Sequence, residues 1–268
     1  MQIVILPDAD QVAEYAANAF VRQINHKLYS VLGLATGSTP LATYERLIQR
    51  YQAGKVSFRA VQTFNLDEYL GLVPDHPQSY RYFMNQAFFD HIDVRPENTH
   101  VPDGLAVDPQ AACEAFERRL QAAGGIDLQL LGLGRNGHIG FNEPTSSLAS
   151  RTRVKTLAPA TVRDNARFFE PTEFQPELSL TMGIGTIMES RSVMLLATGE
   201  HKADAVARMV EGAVSAACPA SVLQFHPHTR VVVDEAAAQS LALKAFYQHT
   251  EHQAQRLEAQ ARSHGPMA

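Results

Sequence analysis

Short apolar runs alternate with longer amphipathic segments along the whole 268-residue chain, and this alternation constrains the fold more than any other feature. Compact strand-like runs fall at 2–6, 31–35, 61–65, 128–133, 193–197 and 230–233. Between them the apolar residues recur at three- and four-residue intervals, the spacing of a helix face. Val12, Ala16, Phe20 and Ile24 predict a helix over 10–25. Similar spacing predicts helices over 40–51, 79–90, 109–123 and 201–211, and a long helical region from about 235 to 262. Gly124-Gly125 is a stop signal for the helix over 109–123, and Pro40 suits a first helical position, where its missing N–H is not needed. Strands alternating with helices in this way predict an α/β fold, a parallel sheet covered by helices on both faces. No repeat, low-complexity tract or linker divides the chain, so one domain is expected. In such sheets ligands bind beyond the carboxyl ends of the strands, which directs attention to the loops after Ala35, Asn65 and Leu133.

Composition narrows the partners. A formal charge of -5 provides no general field for nucleic acid or an anionic membrane, so an anionic ligand must be held by a few local donors. Cys113 and Cys218 stand far apart in no metal-ligand spacing, which fits a reducing, cytoplasmic setting. The first ten residues read as a strand and a turn rather than a secretion signal, and no apolar run approaches the roughly 20 residues needed to span a bilayer.

Three loops carry chemistry. The first contains Thr36-Gly37-Ser38-Thr39 between a strand and a helix. Gly37 allows close approach of a ligand, and exposed N–H groups at a helix start form an anion site. The same residues also describe an ordinary helix start. The second loop places Asp67 and Glu68 directly after an apolar strand. At least one carboxylate is expected at the catalytic edge, where partial burial would raise its pKa and make it a usable base. A solvated acidic turn is the alternative. The third, Gly132 to Pro144, sets Asn136, His138 and Glu143 among four glycines. A His with a carboxylate five residues on is suited to proton transfer near neutral pH. The pair could also supply two metal ligands, but no third is evident nearby.

Taken together, LGLATGSTP, FNLDEYLGL with HPQSY just after it, and GRNGHIGFNEP followed by SSLASRTRVKTL closely resemble the glucosamine-6-phosphate deaminase family. The resemblance runs in order over nearly the whole chain and weakens towards the C-terminus. It implies a single Rossmann-like domain and a reaction with no metal and no organic cofactor, converting glucosamine-6-phosphate to fructose-6-phosphate and ammonia. Carried over by motif, Asp67 would move a proton between carbons 2 and 1, and His138, oriented by Glu143, would act in ring opening. Thr36, Gly37, Ser38 and Thr39 would cradle the phosphate, with Arg167 and Lys202 as cationic contacts. Many members have Asp where this chain has Asn136, so Glu143 is expected to be the only carboxylate partner of His138, with an effect on the pH profile.

The resemblance also implies an allosteric site for N-acetylglucosamine-6-phosphate at Ser146, Arg153, Lys155 and Thr156, with Tyr247 near the position of a further contact, and with it a homohexamer. An ordinary basic strand is the alternative there. A 6-phosphogluconolactonase would share the scaffold and a galactosamine-6-phosphate isomerase most of the chemistry. A non-catalytic sugar-phosphate sensor would need no base together with a ring-opening acid.

Overall fold

The computed structural model describes residues 1–157, 162 and 174–263, the side chains of 258, 259 and 261–263 excepted. Its centre is a seven-stranded, wholly parallel sheet in the order β1-β10-β9-β6-β2-β3-β5. The strands are β1 (Gln2–Leu6), β2 (Val31–Leu34), β3 (Gln62–Asn65), β5 (Thr99–His100), β6 (Leu128–Gly132), β9 (Val193–Ala197) and β10 (Thr229–Asp234). A second, three-stranded antiparallel sheet holds β4 (Asp67–Tyr69), β8 (Leu178–Thr181) and β7 (Arg153–Thr156), in the order β4-β8-β7.

Because successive strand residues point to opposite faces, the parallel strands serve two cores at once. Leu131, Val193, Leu195, Val231 and Val233 enter one, packed with Phe116 and Leu120 of helix α4 (Pro109–Ala122). Leu32, Leu34, Leu130, Met194 and Val232 enter the other, beneath helices α1 (Ala9–His26), α2 (Ser38–Gln52) and α3 (Tyr80–Ala87). Each large side chain so buried stabilises the fold by roughly 1.5–3 kcal/mol. The expected α/β architecture with helices on both faces is observed.

Local chemistry moves some boundaries. Helix α2 begins at Ser38, so Pro40 is its third residue rather than its first. The position is tolerated because none of the first four helical N–H groups has a partner within the helix. The C-terminal helix runs Lys244–Ser263 rather than from about 235. Ahead of it, the N–H groups of Ala242 and Leu243 donate to the Glu211 carboxylate at 2.9 and 2.8 Å instead of entering a helical ladder. Strands β5 and β8 and the short helix Ile184–Met188 were not foreseen, nor was the antiparallel sheet.

Strand order fixes where a ligand can enter. From β2 the chain proceeds through β3 to β5 at one edge, then returns to β6 and advances through β9 to β10 on the other side. The loops leaving β2 and β6 therefore diverge, and a crevice opens between them, as at the reversal point of any open parallel sheet. Among the described residues no helix is long and apolar enough to cross a membrane.

Candidate active site

The crevice is an open cleft of about 640 Å³, lined from the β2 loop by Thr36 to Pro40, from β4 by Asp67, and from the β6 loop by Gly134, Arg135, Asn136 and His138. Tyr80 and Lys202 complete its walls.

At the β2 loop, Gly37 precedes α2 with φ of 101°, a left-handed conformation that favours glycine. No side chain caps this helix start, so its N–H groups and its positive dipole end face the cleft. Lys202 follows a turn after β9, and its Nζ donates to the carbonyl of Leu133 at 2.6 Å. Burial and then the nearby charge of Arg135 hold its pKa below the ordinary lysine value. The expected cradle of Thr36, Gly37, Ser38 and Thr39 thus meets Lys202 in one cleft. Arg167 lies outside the described residues. Arg135 was missed, although its place between Gly134 and Asn136 in the glycine-dense loop marked it.

Asp67 and Glu68 divide their roles because neighbouring strand residues face opposite ways. Asp67 is 4% exposed and faces the cleft. Burial, then the negative charge of Glu68, push its carboxyl up to about 8, against the opposing N–H of Phe141. Glu68 turns away and accepts the N–H groups of Tyr69, Tyr80 and Arg81 at 2.8, 2.9 and 2.9 Å. It therefore anchors the start of α3, and of the two acids only Asp67 lines the cleft.

The β6 loop folds back on itself, with Gly134 N–H donating to the His138 carbonyl at 2.9 Å. His138 Nδ1 stands 3.3 Å from Glu143 Oε2, within ion-pair range but longer than a well-formed hydrogen bond. Asn136 Nδ2 donates to that same Oε2 at 2.6 Å, and its Oδ1 accepts the backbone N–H of His138 at 3.2 Å. Asn136 thus holds Glu143 and the loop, and Glu143 is the carboxylate that faces the imidazole.

Tyr80, which the sequence reading did not single out, hydrogen-bonds Thr36 and lies 3.3 Å from the Tyr69 hydroxyl. Its ring stacks on Phe141 at 5.8 Å, and burial drives its hydroxyl well above the ordinary range. Among the described residues no group of three metal-ligating side chains is assembled.

Of the residues expected at an allosteric site, Arg153, Lys155 and Thr156 share strand β7. Arg153 donates to Asn142 Oδ1 at 2.9 Å, bracing the loop after β6 from β7. Lys155 and Thr156 follow it on that edge strand, and Ser146 is buried, its N–H on the Glu143 carbonyl at 3.0 Å. Tyr247 lies on the C-terminal helix packed against β1, paired with Glu211.

The fold and cleft define an α/β protein built for acid–base chemistry on an anionic ligand, at the reversal point of a parallel sheet. The chain belongs to the family described as glucosamine-6-phosphate isomerases/6-phosphogluconolactonase, whose model matches residues 7–233. It is 64% identical over 259 residues to a glucosamine-6-phosphate deaminase of Shewanella loihica, covering 97% of each chain. To one of Cellvibrio japonicus it is 61% identical over 257 residues, 96% of this chain and 98% of that one. A solved structure described as a monomeric glucosamine-6-phosphate deaminase superposes with a TM-score of 0.87 at 44% identity, over 90% of this chain and all of that one. A 6-phosphogluconolactonase from Leishmania guyanensis shares the fold alone, with a TM-score of 0.70 at 21% identity over 90% of this chain and 98% of that one. The homohexamer expected from the sequence has no support from the neighbour described as monomeric.

Proposed function

We propose that this chain isomerises and deaminates glucosamine-6-phosphate, giving fructose-6-phosphate and ammonia. The observation that carries this reading is one cleft lined by a buried carboxylate, a histidine backed by Glu143 and an uncapped helix start. Thr36, Gly37, Ser38 and Thr39 hold the phosphate through backbone N–H groups, with Lys202 as counter-charge and Arg167 as a further contact. His138, with Glu143 behind it, shuttles a proton from the carbon 1 hydroxyl to the ring oxygen as the sugar opens. Asp67 then takes the proton from carbon 2 as the carbon 1 oxygen gains a proton, leaving a planar enolamine, and returns its own proton to carbon 1. Removal and return take place on one face of that plane, so a single carboxylate serves both carbons with little movement. The carbon–nitrogen double bond that this leaves at carbon 2 adds water, and the resulting carbinolamine expels ammonia as the ketone forms. The substrate class agrees with the names of the relatives at 64% and 61% identity. A cytoplasmic setting fits the two unpaired, buried cysteines.

The test is ammonia release from glucosamine-6-phosphate. Rapid release by the native chain, lowered by about 10³-fold or more in Asp67→Asn, is expected. Hydrolysis of 6-phosphogluconolactone without ammonia release would overturn the reading.

Activation by N-acetylglucosamine-6-phosphate rests on narrower support: Lys155 and Thr156 occupy an edge strand, and Arg153 joins that strand to the catalytic loop through Asn142. The activator is expected to lower the half-saturating substrate concentration. A hyperbolic rate curve unchanged by it would remove the proposal.

A further inference from the structure

Glu68 is buried to 3% exposure yet reaches no substrate-facing surface, a costly place for a carboxylate with no catalytic duty. Its oxygens are spent on backbone: Oε1 accepts from Tyr69 and Tyr80, Oε2 from Arg81. The backbone of Gly104 lies over it, so closely that a Cβ there would stand 3.2 Å from Glu68 Cγ and 2.3 Å from the Tyr69 carbonyl. Arg81 does not neutralise it by a direct pair, because its guanidinium donates to Oγ1 and the carbonyl of Thr99 at 2.8 and 2.9 Å. Burial raises its pKa, against the three N–H donors and the nearby charge of Arg81, and when ionised it sets a dry, fixed negative charge one residue from the carboxylate that faces the cleft.

We infer that Glu68 is a positioning residue that sets the pH range over which Asp67 works and locks α3 so that Tyr80 stands over it. The inference rests on the reading of Asp67 as the base. Two connections carry it. Tyr80 is the first residue of α3, and the Glu68 bond to its N–H fixes the ring against Phe141 and its hydroxyl on Thr36. The charge of Glu68 is also the one that opposes ionisation of Asp67, after burial itself. The other ionisable groups around Asp67 come from several elements. They are Tyr69 on its own strand, Tyr80 and Arg81 on α3, and His138 with Glu143 and Arg135 on the β6 loop. Lys202 stands beyond β9, and Arg153 on β7 lies in register across Thr181. The cations among them have other partners or stand at the cleft mouth: Arg81 on Thr99, Arg153 on Asn142, Lys202 on Leu133. Glu68 alone is a buried charge next to Asp67 in the chain. A base kept reluctant to ionise holds the carbon 2 proton well enough to deliver it to carbon 1 rather than lose it.

The experiment measures the pH dependence of ammonia release for the native chain, Glu68→Gln and Glu68→Asp, with Asp67→Asn as reference. Glu68→Gln is expected to move the acid limb of kcat/KM towards acid by about one pH unit, the order of effect of a removed like charge at close range. Its kcat on the plateau should fall about tenfold as α3 loosens, with KM little changed because the phosphate cradle is untouched. Glu68→Asp keeps the charge but shortens the reach, so kcat should fall while the limb stays in place. Lowered stability with an unmoved limb in Glu68→Gln would overturn the inference. If that variant does not fold, native kcat in Glu68→Asp would overturn it. Failure of the underlying reading is separately visible, as Asp67→Asn retaining ammonia release.

Discussion

At the residue scale, the site depends on backbone that leaves no room for side chains. A Cβ on Gly134 would lie 2.4 Å from both Cε1 and Nε2 of His138. Gly134→Ala must therefore displace the imidazole, and a displacement of about 1 Å at a reacting group can cost on the order of 10²-fold in rate. We expect kcat to fall by that order, with thermal stability and the KM for the phosphosugar nearly native, as steady-state kinetics beside a melting curve will show. An unchanged kcat would mean that His138 takes no part in the slow step. The same scale explains what the sequence hid. The acidic pair Asp67-Glu68 read as one feature, but alternation along the strand sends one carboxylate to the cleft and the other to α3, and only the pairing of β4 with β8 decides which. Asn136 was read through the carboxylate it replaces, whereas its amide donates to Glu143, a bond an ionised Asp could not make. Tyr80 closes the HPQSY segment, but its role arises from the Glu68 anchor twelve residues before it.

At the element scale, one buried carboxylate helps tie the small antiparallel sheet to the main body. Glu117 on α4 accepts the N–H and Oγ1 of Thr152 at 2.8 and 2.5 Å and Oγ1 of Thr186 at 2.6 Å, and it pairs with Arg151. It thus ties α4 to the start of β7 and to the helix Ile184–Met188. Burial works to raise its pKa, but these donors outweigh burial and hold it below the usual range. A carboxylate with a depressed folded pKa stabilises fully above its unfolded value, and that contribution is lost as pH falls through the folded one. Glu117→Ala is expected to cost about 2–4 kcal/mol near neutrality by urea unfolding. The difference from the native chain should shrink below the ordinary carboxylate range, and a difference constant with pH would refute the assignment. His100 on β5 adds a second acid-sensitive contact. Its ring lies 4.5 Å from Phe64, and burial, then Arg119 and Arg81, lower its pKa to about 4. The unfolded chain binds that proton first as pH falls below about 6.5, so this contribution too is lost on acidification.

At the scale of the whole molecule, the parallel sheet was legible because doubly buried strands are continuous apolar runs, and β2, β6, β9 and β10 each show one. Short, mixed strands such as β5 and β8 carry too few residues to announce a period, and their existence depends on partners far away in the chain. The same limit applies to the antiparallel sheet, which is assembled from 67–69, 153–156 and 178–181. The three loops of the site were legible for the opposite reason: each follows an apolar run directly, and in this fold the residues after a strand are the ones that face a ligand. What the sequence did not contain was their convergence, which comes from the reversal of strand order between β2 and β6.

The outermost strand of the sheet has only one neighbour, and that neighbour comes last. β1 pairs with β10 in the register Gln2 to Arg230 through Leu6 to Asp234, and the helix Lys244–Ser263 packs against it. During synthesis β1 therefore waits, its ladder unpaired, until residues 229–234 have followed it. Loops this long make closure slow and leave an apolar edge exposed to other chains meanwhile. Pairing of this edge is thus set by the arrival of β10, not by anything near β1 in the chain.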